Sequence, residues 1–271
     1  MYSPYRFADR VGDIGQSLPD PFKQLADNRA KFRRGATSLI AGTPGAFKSV
    51  MALNMLVTWA GQGIGSLYFA ADSDEVTVVN RLTGIVTGVN VERVERQMME
   101  DKGKRQEYKA RLYEDLPGVE FEYEQMDFED VVKHVKSYEA VYGKYPDVIF
   151  IDNLIDFVES PTDYGGMLEF IRSMDGLSKE IKAHVCILHH AKLRDSNKSD
   201  NDSDDKDPMQ PPADWEVQGR ITQLSRLVLT ICAVGLHVNM SVVKNTLGPQ
   251  TRDASRVFGF EVYASMKVAE R

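Results

Sequence analysis

Short apolar runs alternate with amphipathic stretches over most of the chain. Five of the runs have the length and composition of buried strands, at residues 37–41, 66–71, 119–123, 148–151 and 185–189. Helical periodicity fills most of the intervals, at residues 49–59, 75–83, 91–116, 128–142 and 166–182. This alternation predicts an α/β fold with a mostly parallel, twisted sheet flanked by helices. We expect Gly84 to end the second of these helices.

The C-terminal part of the chain has a different pattern. Three apolar runs follow one another with turn residues between them, at residues 227–233, 240–244 and 257–263. Strands joined by short turns are antiparallel. We therefore expect these three runs to add antiparallel strands to the C-terminal end of the sheet.

Polar composition suggests how the chain is organised. Residues 1–30 contain several prolines and lack a strong period, which predicts an N-terminal arm with one short helix near residues 22–28. Residues 31–271 are expected to form one large domain. Within it, residues 194–213 are rich in aspartate and proline and predict a mobile acidic loop.

The segment Gly42-Thr43-Pro44-Gly45-Ala46-Phe47-Lys48-Ser49 connects the first predicted strand to a helical pattern that starts at Val50. A glycine-containing loop that ends in Lys-Ser, between a strand and a helix, is typical of a phosphate-binding P-loop. Its backbone N–H groups would point at the phosphates, its lysine would offset their charge, and its serine would bind Mg²⁺. We therefore expect residues 42–50 to bind a nucleotide. A Gly/Pro turn followed by an ordinary lysine is the alternative.

Phe47 stands where the P-loop pattern has its second glycine. Two conformations are open to this residue. A positive φ would strain a bulky phenylalanine, whereas the first position of a helix would accept it.

Three further polar residues each follow a predicted strand, and the carboxyl ends of parallel strands meet at one edge of a sheet. Asp152 would hold Mg²⁺ through its water shell, and Asp72 would polarise the attacking water. His190 would sense the γ-phosphate. The rival for Asp152 is a helix cap. A metal site formed by His189 and His190 together is disfavoured, because adjacent strand residues face opposite sides.

Charge and cysteine content narrow the class of protein. A net charge of −7 argues against a protein that coats nucleic acid through bulk charge, although a local basic groove is compatible with it. Cys186 and Cys232 lie in apolar runs and are expected to be free thiols in a reducing cytosol. No run reaches the roughly 18 apolar residues of a membrane span, and residues 1–10 lack the apolar region of a signal peptide. We expect a soluble cytoplasmic protein without membrane contact.

Four motifs resemble, in order and spacing, those of RecA-fold ring helicases. They are the P-loop, LYFAADSDEVTVVNRL at 67–82, IFIDNL at 149–154 and ILHHAK at 187–192. The similarity covers residues 33–264 and extends to DnaB-type helicases, phage primase-helicases and, most closely, the stand-alone RepA-type hexameric helicase. It implies a RecA-like P-loop NTPase core in a bacterial, plasmid or phage context.

The resemblance also implies roles for individual residues. Asp72 falls on the family's catalytic glutamate and is one methylene shorter, and Arg81 matches a recurrent arginine after that motif. His190 matches a sensor that is Gln or His in these enzymes. Residues 214–224 resemble the segment after the DNA-binding loop, with Gln223 on a recurrent glutamine.

Residues 244–248 resemble the family's Lys-x-Arg-x-Gly string, whose basic residues reach the γ-phosphate bound by a neighbouring subunit. Lys244 is kept, and Thr246 replaces the arginine finger. Such a finger can be worth on the order of 10³ in rate. Hydrolysis would therefore be weak unless Arg252 or Arg256 supplies the charge.

The loop that would correspond to the family's DNA-binding loop carries the wrong charge for that role. Residues 194–207 contain six Asp against one Arg and two Lys, and carboxylates that face phosphates weaken DNA binding. Three alternatives remain: basic residues near the loop contact DNA, DNA is bound elsewhere, or the loop regulates access. The candidate DNA contacts are Lys192, Arg194, Arg220, Gln223 and Arg226.

The leading hypothesis is an ATP-dependent DNA motor, a DnaB/RepA-like helicase core. It would hydrolyse ATP with Mg²⁺, or alternatively Mn²⁺, and translocate on single-stranded or forked DNA as a hexameric ring. The second hypothesis is a metal-dependent, structure-specific nuclease, since Asp72, Asp74, Asp152 and Asp156 could hold two metals. The third is a nucleotide-dependent DNA-binding mediator or loader with little turnover.

Overall fold

The computed structural model of the protein describes residues 15–160, 162–191 and 207–271. One sheet in this part of the chain contains nine strands, in the order β3-β2-β4-β5-β1-β6-β7-β8-β9. Their bounds are β1 Ala36–Gly42, β2 Ser66–Ala70, β3 Val119–Glu122, β4 Val148–Asp152, β5 His184–His190, β6 Leu227–Val234, β7 His237–Asn245, β8 Val257–Val262 and β9 Val268–Glu270. Strands β1 to β6 pair in parallel, and β7 to β9 are antiparallel additions. The predicted α/β fold with a mostly parallel sheet is confirmed.

Seven α-helices connect or flank these strands within the described residues. They are α1 Lys23–Asp27, α2 Lys48–Ala60, α3 Glu75–Thr87, α4 Val91–Glu100, α5 Lys102–Asp115, α6 Phe128–Tyr142 and α7 Tyr164–Ile181. Three short 3-10 helices lie at Leu154–Phe157, Asp214–Glu216 and Gln218–Gln223. The helix predicted at 128–142 has the bounds of α6, because capping by Asp127 and a left-handed Gly143 define both of its ends.

The prediction that β6 would be antiparallel is wrong. β6 pairs in parallel with β1, from Ser38 opposite Leu227 to Gly42 opposite Ile231. The long connection between β5 and β6 allows the chain to re-enter the sheet in the same direction, which a tight turn cannot do. The antiparallel addition therefore begins one strand later, at β7.

Two helix predictions also needed correction. The continuous helix expected at 91–116 is two helices, because Asp101 is extended and its carboxylate accepts a hydrogen bond from the Lys104 N–H, which starts α5. Gly84 does not end α3, which continues to Thr87 and is closed by a left-handed Gly88. Gly84 serves close packing instead, since a Cβ there would lie 2.5 Å from the carbonyl oxygen of Ser265.

The part of the predicted N-terminal arm that the structure describes packs against the chain's own domain. Leu18, Phe22 and Leu25 are buried in the cluster formed around α2. Pro19 accepts a hydrogen bond from the Trp59 indole at 2.8 Å through its carbonyl. Burial of these apolar side chains stabilises the back of α2, the helix that follows the P-loop.

The core consists of two hydrophobic clusters, one on each face of the sheet. The cluster on the α2 and α3 face contains Tyr68, Phe150 and Leu188. The cluster on the α6 and α7 face contains Phe69 and Ile151. Successive strand residues thus alternate between the two faces, while the carboxyl ends of β1, β2, β4 and β5 remain available at one edge. No helix in the described ranges is long and apolar enough to cross a membrane.

His184, the first residue of β5, is a buried neutral imidazole. Its Nδ1 lies 2.9 Å from the carbonyl oxygen of Arg33, and its Nε2 lies 2.9 Å from the Ser38 hydroxyl. A carbonyl only accepts, so Nδ1 carries the proton and Nε2 accepts from the serine. Burial lowers the pKa of His184 to about 4.

We expect the free energy of unfolding to decrease as the pH falls from 6.5 to about 4, because unfolded His184 binds a proton that the folded protein excludes. The difference between the two pKa values corresponds to roughly 3 kcal/mol of stability lost across that window. Urea unfolding at several pH values tests this for the wild type, His184→Gln and His237→Gln, which changes an exposed histidine. His184→Gln should reduce the pH dependence and His237→Gln should retain it. Equal slopes for all three proteins would contradict the assignment.

Candidate active site

The loop between β1 and α2 needs its glycines for two different reasons. A Cβ on Gly42 would lie 2.6 Å from the carbonyl oxygen of Ile231, so only glycine lets β1 approach β6 this closely at its end. Gly45 has a φ of 78° and nothing within 4 Å of the position a Cβ would take, so its requirement is the left-handed backbone alone. The loop thus turns sharply at the edge of the sheet and delivers the chain to the start of α2.

The start of α2 is left without a side-chain cap. Among the described helices of ten or more residues, the other five each begin with an Asp or Asn that accepts a hydrogen bond from the first turn: Asp74, Asn90, Asp101, Asp127 and Asp163. The corresponding residue of α2 is Phe47, which makes no such bond. The N–H groups of its first turn, with the positive end of the helix dipole, are therefore suited to bind an anion.

Lys48, the first residue of α2, places a buried ammonium group in the same loop. Its side chain donates to the carbonyl oxygens of Gly42 and Thr43, each at 3.1 Å. Burial lowers the pKa of Lys48 to about 8, although the nearby carboxylates of Asp152 and Asp72 favour the charged form. A partly desolvated cation with carbonyl partners alone favours an anionic ligand such as a phosphate.

Asp152 lies at the end of β4 on the same face of the sheet as α2 and is 5% exposed. Its carboxylate accepts a 2.7 Å hydrogen bond from the Tyr68 hydroxyl and a second one from Ser49. Burial raises the pKa of Asp152, while these hydrogen bonds and the Lys48 charge oppose that shift. A carboxylate beside a serine hydroxyl is a set of hard oxygen donors, which suits Mg²⁺.

Asp72 and His190 lie near the same ammonium. Asp72 is exposed just beyond β2, and its negative charge raises the pKa of both Lys48 and His190. His190 is half-buried at the end of β5, with its Nδ1 3.4 Å from the Lys48 Nζ. Burial and the Lys48 charge lower the pKa of His190. Because an ammonium only donates, Nδ1 accepts and Nε2 keeps the proton, free to donate.

The two histidines at the end of β5 face opposite sides, as their alternation requires. His189 is fully buried, and burial lowers its pKa to about 4. His190 alone points toward the P-loop lysine. This geometry does not favour a shared metal site.

Phe47 adopts the strained alternative, with φ 60° and ψ 27°. Its ring packs against the cluster on the α2 face, which offsets part of the cost of a left-handed, non-glycine residue. The helix begins only after it, at Lys48. Phe47 is therefore a left-handed residue in the loop and not the first helical residue.

Lys244 and Arg252 lie elsewhere, around a cavity of about 510 Å³. The Lys244 ammonium donates to the carbonyl oxygens of Thr222 and Gln223, each at 2.8 Å. The Arg252 guanidinium is bound to Asp214 through Nε at 3.0 Å and Nη2 at 2.7 Å. Burial lowers the pKa of Lys244, and Asp214 opposes that shift.

That cavity is separate from the P-loop of the same chain. None of residues 42–50 lines it, whereas Thr246 does. Arg256 has a different environment, with its guanidinium 5.9 Å from the centre of the Phe258 ring. Lys244 and Arg252 are thus not brought to their own nucleotide loop, and their predicted role toward a neighbouring subunit stays a prediction.

The candidate DNA contacts are described only in part. Lys192 and Arg194 lie outside the described residues, as does most of the predicted acidic loop, and the side chain of Arg220 is not described. Gln223 and Arg226 are both exposed near the start of β6. Gln223 lies at the cavity of Lys244, on the side of β1 away from β5.

The carboxylates proposed for a nuclease do not form a metal centre. Over residues 15–160, 162–191 and 207–271, no group of three or more His, Cys, Asp or Glu side chains is arranged to hold a metal ion. Asp74 is engaged as the cap of α3, where it accepts from the Thr77 N–H and hydroxyl. The nuclease hypothesis finds no support in this arrangement.

Two residues of the site were not singled out from the sequence. Tyr68 has the pattern of a core residue in a strand, yet its hydroxyl contacts Asp152. Asp214 lies within a segment of interest without a predicted role of its own, yet it holds Arg252. A tyrosine rather than a phenylalanine in a buried strand was the one available signal, since a buried hydroxyl requires a partner.

The backbone of Phe47 can be tested by stability alone. Phe47→Gly loses the ring and relieves the left-handed strain, whereas Phe47→Val loses most of the ring and keeps a strain that is worse for a β-branched residue. We expect the valine variant to be less stable than the glycine variant by roughly 1–3 kcal/mol, even though valine buries more apolar surface. Urea unfolding of both variants measures the difference. Equal or reversed stabilities would contradict a positive φ at this position.

Known phage proteins are similar to this chain over most of its length. The Gene 65 protein of Mycobacterium phage L5 is 26% identical over 258 residues, which cover 92% of this chain and 90% of that protein. The Gene 65 protein of Mycobacterium phage D29 is 26% identical over 225 residues, covering 78% of this chain and 88% of that protein.

Two solved structures share the fold. One is an isolated ATPase domain, which superposes with a TM-score of 0.77 at 11% identity, covering 98% of this chain and 95% of that one. The other is a DnaB-like replicative helicase, solved in a study of its interactions with primase, which gives a TM-score of 0.76 at 11% identity. This second match covers 98% of the present chain, which spans 64% of that helicase's length.

The family assignment rests on a longer sequence match. The sequence model of a family described as AAA domain matches residues 3–196, which include the P-loop, β4 and β5. The chain belongs to this AAA domain family, and its fold is the RecA-like fold of helicase-type NTPases.

Proposed function

We propose that this chain is an ATP-dependent DNA motor, a DnaB/RepA-like helicase core. It binds and hydrolyses ATP with Mg²⁺ and moves along single-stranded DNA as a ring. The observation that carries this proposal is the buried ammonium of Lys48 at the start of a helix that has no side-chain cap. The other long helices of the described chain have caps, so this one start is suited to a phosphate group.

The P-loop would hold the triphosphate through backbone and lysine together. The N–H groups of the loop and of the first turn of α2 donate to phosphate oxygens, and Lys48 neutralises the β and γ charges. Residues 42–50 form this part of the site. Binding would replace the carbonyl contacts of Lys48 with charge-assisted hydrogen bonds, which are stronger.

Ser49 and Asp152 are the residues that would hold Mg²⁺. The hydrogen bond between them already brings a hydroxyl and a carboxylate together, and both are hard oxygen donors. When bound, the ion bridges phosphate oxygens and offsets the charge that develops on them. Mn²⁺ prefers similar ligands and is the expected substitute.

Asp72 and His190 are the polar groups that would face the γ-phosphate side of the site. Asp72 is exposed and charged near Lys48, which suits a group that orients an attacking water. Neutral His190 offers an Nε2–H donor next to the lysine. As β5 leads directly into residues 191–217, loss of a phosphate contact at His190 would be felt by that segment.

A second subunit would complete the site through Lys244 and Arg252. These cations flank a cavity that the P-loop of the same chain does not line, so each chain would carry two different halves of a site. Two unlike surfaces that meet head to tail generate a ring when the rotation closes. A hexamer is the expected ring, and Arg252 would take the part of the arginine that Thr246 replaces.

DNA would be held near residues 191–226, with Lys192, Arg194, Arg220 and Gln223 as the candidate contacts. The mycobacteriophage relatives support a phage context, with the protein in the cytoplasm of an infected bacterium. The AAA family and the helicase-type fold support DNA as partner. A mediator or loader with little turnover is the remaining alternative.

The first test is nucleotide turnover. We expect Lys48→Ala to reduce DNA-stimulated phosphate release from ATP by at least about 100-fold, because the cation that offsets the phosphate charge is lost. Lys133→Ala is the matched control, since Lys133 is an exposed lysine paired with Asp130 on α6. Unchanged turnover in Lys48→Ala would contradict the proposal.

The same preparations discriminate the alternatives on forked DNA. With ATP and Mg²⁺ a motor separates the strands, whereas a loader binds DNA without separating them. With Mn²⁺ and no nucleotide a motor leaves the backbone intact, whereas a nuclease cuts it.

A mixing experiment tests the shared site. Lys48→Ala and Arg252→Ala should each be inactive alone, and a one-to-one mixture should recover about a quarter of the intact interfaces in a head-to-tail ring. Recovery occurs because Arg252→Ala supplies an intact P-loop to the intact Arg252 of its neighbour. Arg256→Ala serves as the control for removing a nearby guanidinium. No recovery on mixing would mean that Arg252 acts within its own chain or not at all.

A further inference from the structure

Asp152 has a partner that the nucleotide chemistry does not by itself require. Tyr68 on β2 is opposite Phe150 on β4, and Ala70 is opposite Asp152. Tyr68 and Asp152 are therefore diagonal neighbours on one face of the sheet, a distance that a long aromatic side chain can span. The Tyr68 hydroxyl donates to Asp152 Oδ2 at 2.7 Å.

The Tyr68 ring is held in place without help from its hydroxyl. It lies between Phe121 and Phe150, with ring centroids 5.1 Å away on each side, and it is 1% exposed. Burial and the Asp152 charge raise the pKa of Tyr68 well above its usual value, so the hydroxyl keeps its proton. It is a fixed donor aimed at one oxygen of the carboxylate.

A fixed donor restricts a carboxylate that would otherwise turn. The terminal torsion of an aspartate is broad, and a ligand that rotates binds a metal less well than one held by an outer partner. With Oδ2 engaged by Tyr68, the remaining lone pairs of Asp152 are the ones presented to Ser49 and to the metal.

We propose that Tyr68 is a positioning residue of the nucleotide site, whose hydroxyl orients Asp152 for the nucleotide-bound Mg²⁺. This inference rests on the proposed function, because it assigns Tyr68 a role toward the metal that ATP brings. Tyr68 does not touch the nucleotide and acts only through Asp152. A merely structural tyrosine would affect stability and leave the metal affinity unchanged.

The test compares Tyr68→Phe with Tyr138→Phe. Each removes one buried hydroxyl that donates a 2.7 Å hydrogen bond, but the Tyr138 hydroxyl donates to the carbonyl of Gly118, in the connection between α5 and β3. Three quantities are measured on the full chain: urea unfolding, affinity for a fluorescent ATP analogue in EDTA, and Mn²⁺ binding to the nucleotide complex by electron paramagnetic resonance.

We expect Tyr68→Phe to weaken Mn²⁺ binding to the nucleotide complex by roughly tenfold or more, the usual effect of removing an outer partner of a metal ligand. Its affinity for the analogue in EDTA should stay within about twofold of the wild type, because the P-loop binds the phosphates without Asp152. Tyr138→Phe should leave both affinities unchanged, whatever it does to stability.

A double-mutant cycle separates action through Asp152 from a general loosening of the fold. In the Asp152→Asn background, Tyr68→Phe should produce little further loss of Mn²⁺ affinity, since the group it positions has already been changed. Full additivity would overturn the proposal.

The two ways of failing are distinguishable. If the wild type binds the ATP analogue and Mn²⁺ but Tyr68→Phe binds Mn²⁺ as tightly as Tyr138→Phe does, the positioning role is wrong and the proposed function stands. If the wild type itself binds neither the analogue nor Mn²⁺, the proposed function is wrong as well. Should Tyr68→Phe not fold, the cycle is run with Tyr68→Trp, which keeps a buried aromatic ring and removes the hydroxyl.

Discussion

A buried positive charge at the edge of the sheet is the constraint around which the loop is built. Desolvating an ammonium costs several kcal/mol unless polar partners surround it. Lys48 finds them in the carbonyls of Gly42 and Thr43 and in the fields of Asp152 and Asp72. The close approach at Gly42 and the left-handed turn at Phe47 follow from wrapping the loop around that charge. A phosphate-binding loop must accept such strain, because an anion with several oxygens requires several donors aimed at one point.

Sheet topology assembles the rest of the site from distant parts of the chain. In the order β4-β5-β1, three parallel strands end side by side, and their carboxyl ends carry Asp152, His190 and Gly42. Parallel neighbours place their carboxyl ends at one edge, which is where ligands bind in open α/β sheets. On the other side of β1, strands β6 and β7 carry Lys244 to a different cavity. The chain therefore presents two chemically unlike surfaces, which is what the proposed head-to-tail assembly requires.

Much of the candidate site was accessible from local sequence. The P-loop segment, Asp152 after an apolar run and His190 after another were predicted because strand, turn and residue type are all encoded within a few neighbouring positions. The alternation of apolar residues likewise predicted the faces of β4 and β5, since burial on a pleated strand has a period of two. The resemblance to RecA-fold helicases and the predicted sheet are confirmed. The roles of the individual site residues remain predictions.

The sequence alone determined which segments are strands and helices, where α6 begins and ends, and that a phosphate-binding loop follows β1. The tertiary structure decided the direction of β6, the left-handed backbone of Phe47 and the hydrogen bond from Tyr68 to Asp152. The reason is physical. Periodicity records whether a side chain is buried, whereas the neighbour it meets depends on long-range strand order and register, which no local pattern contains.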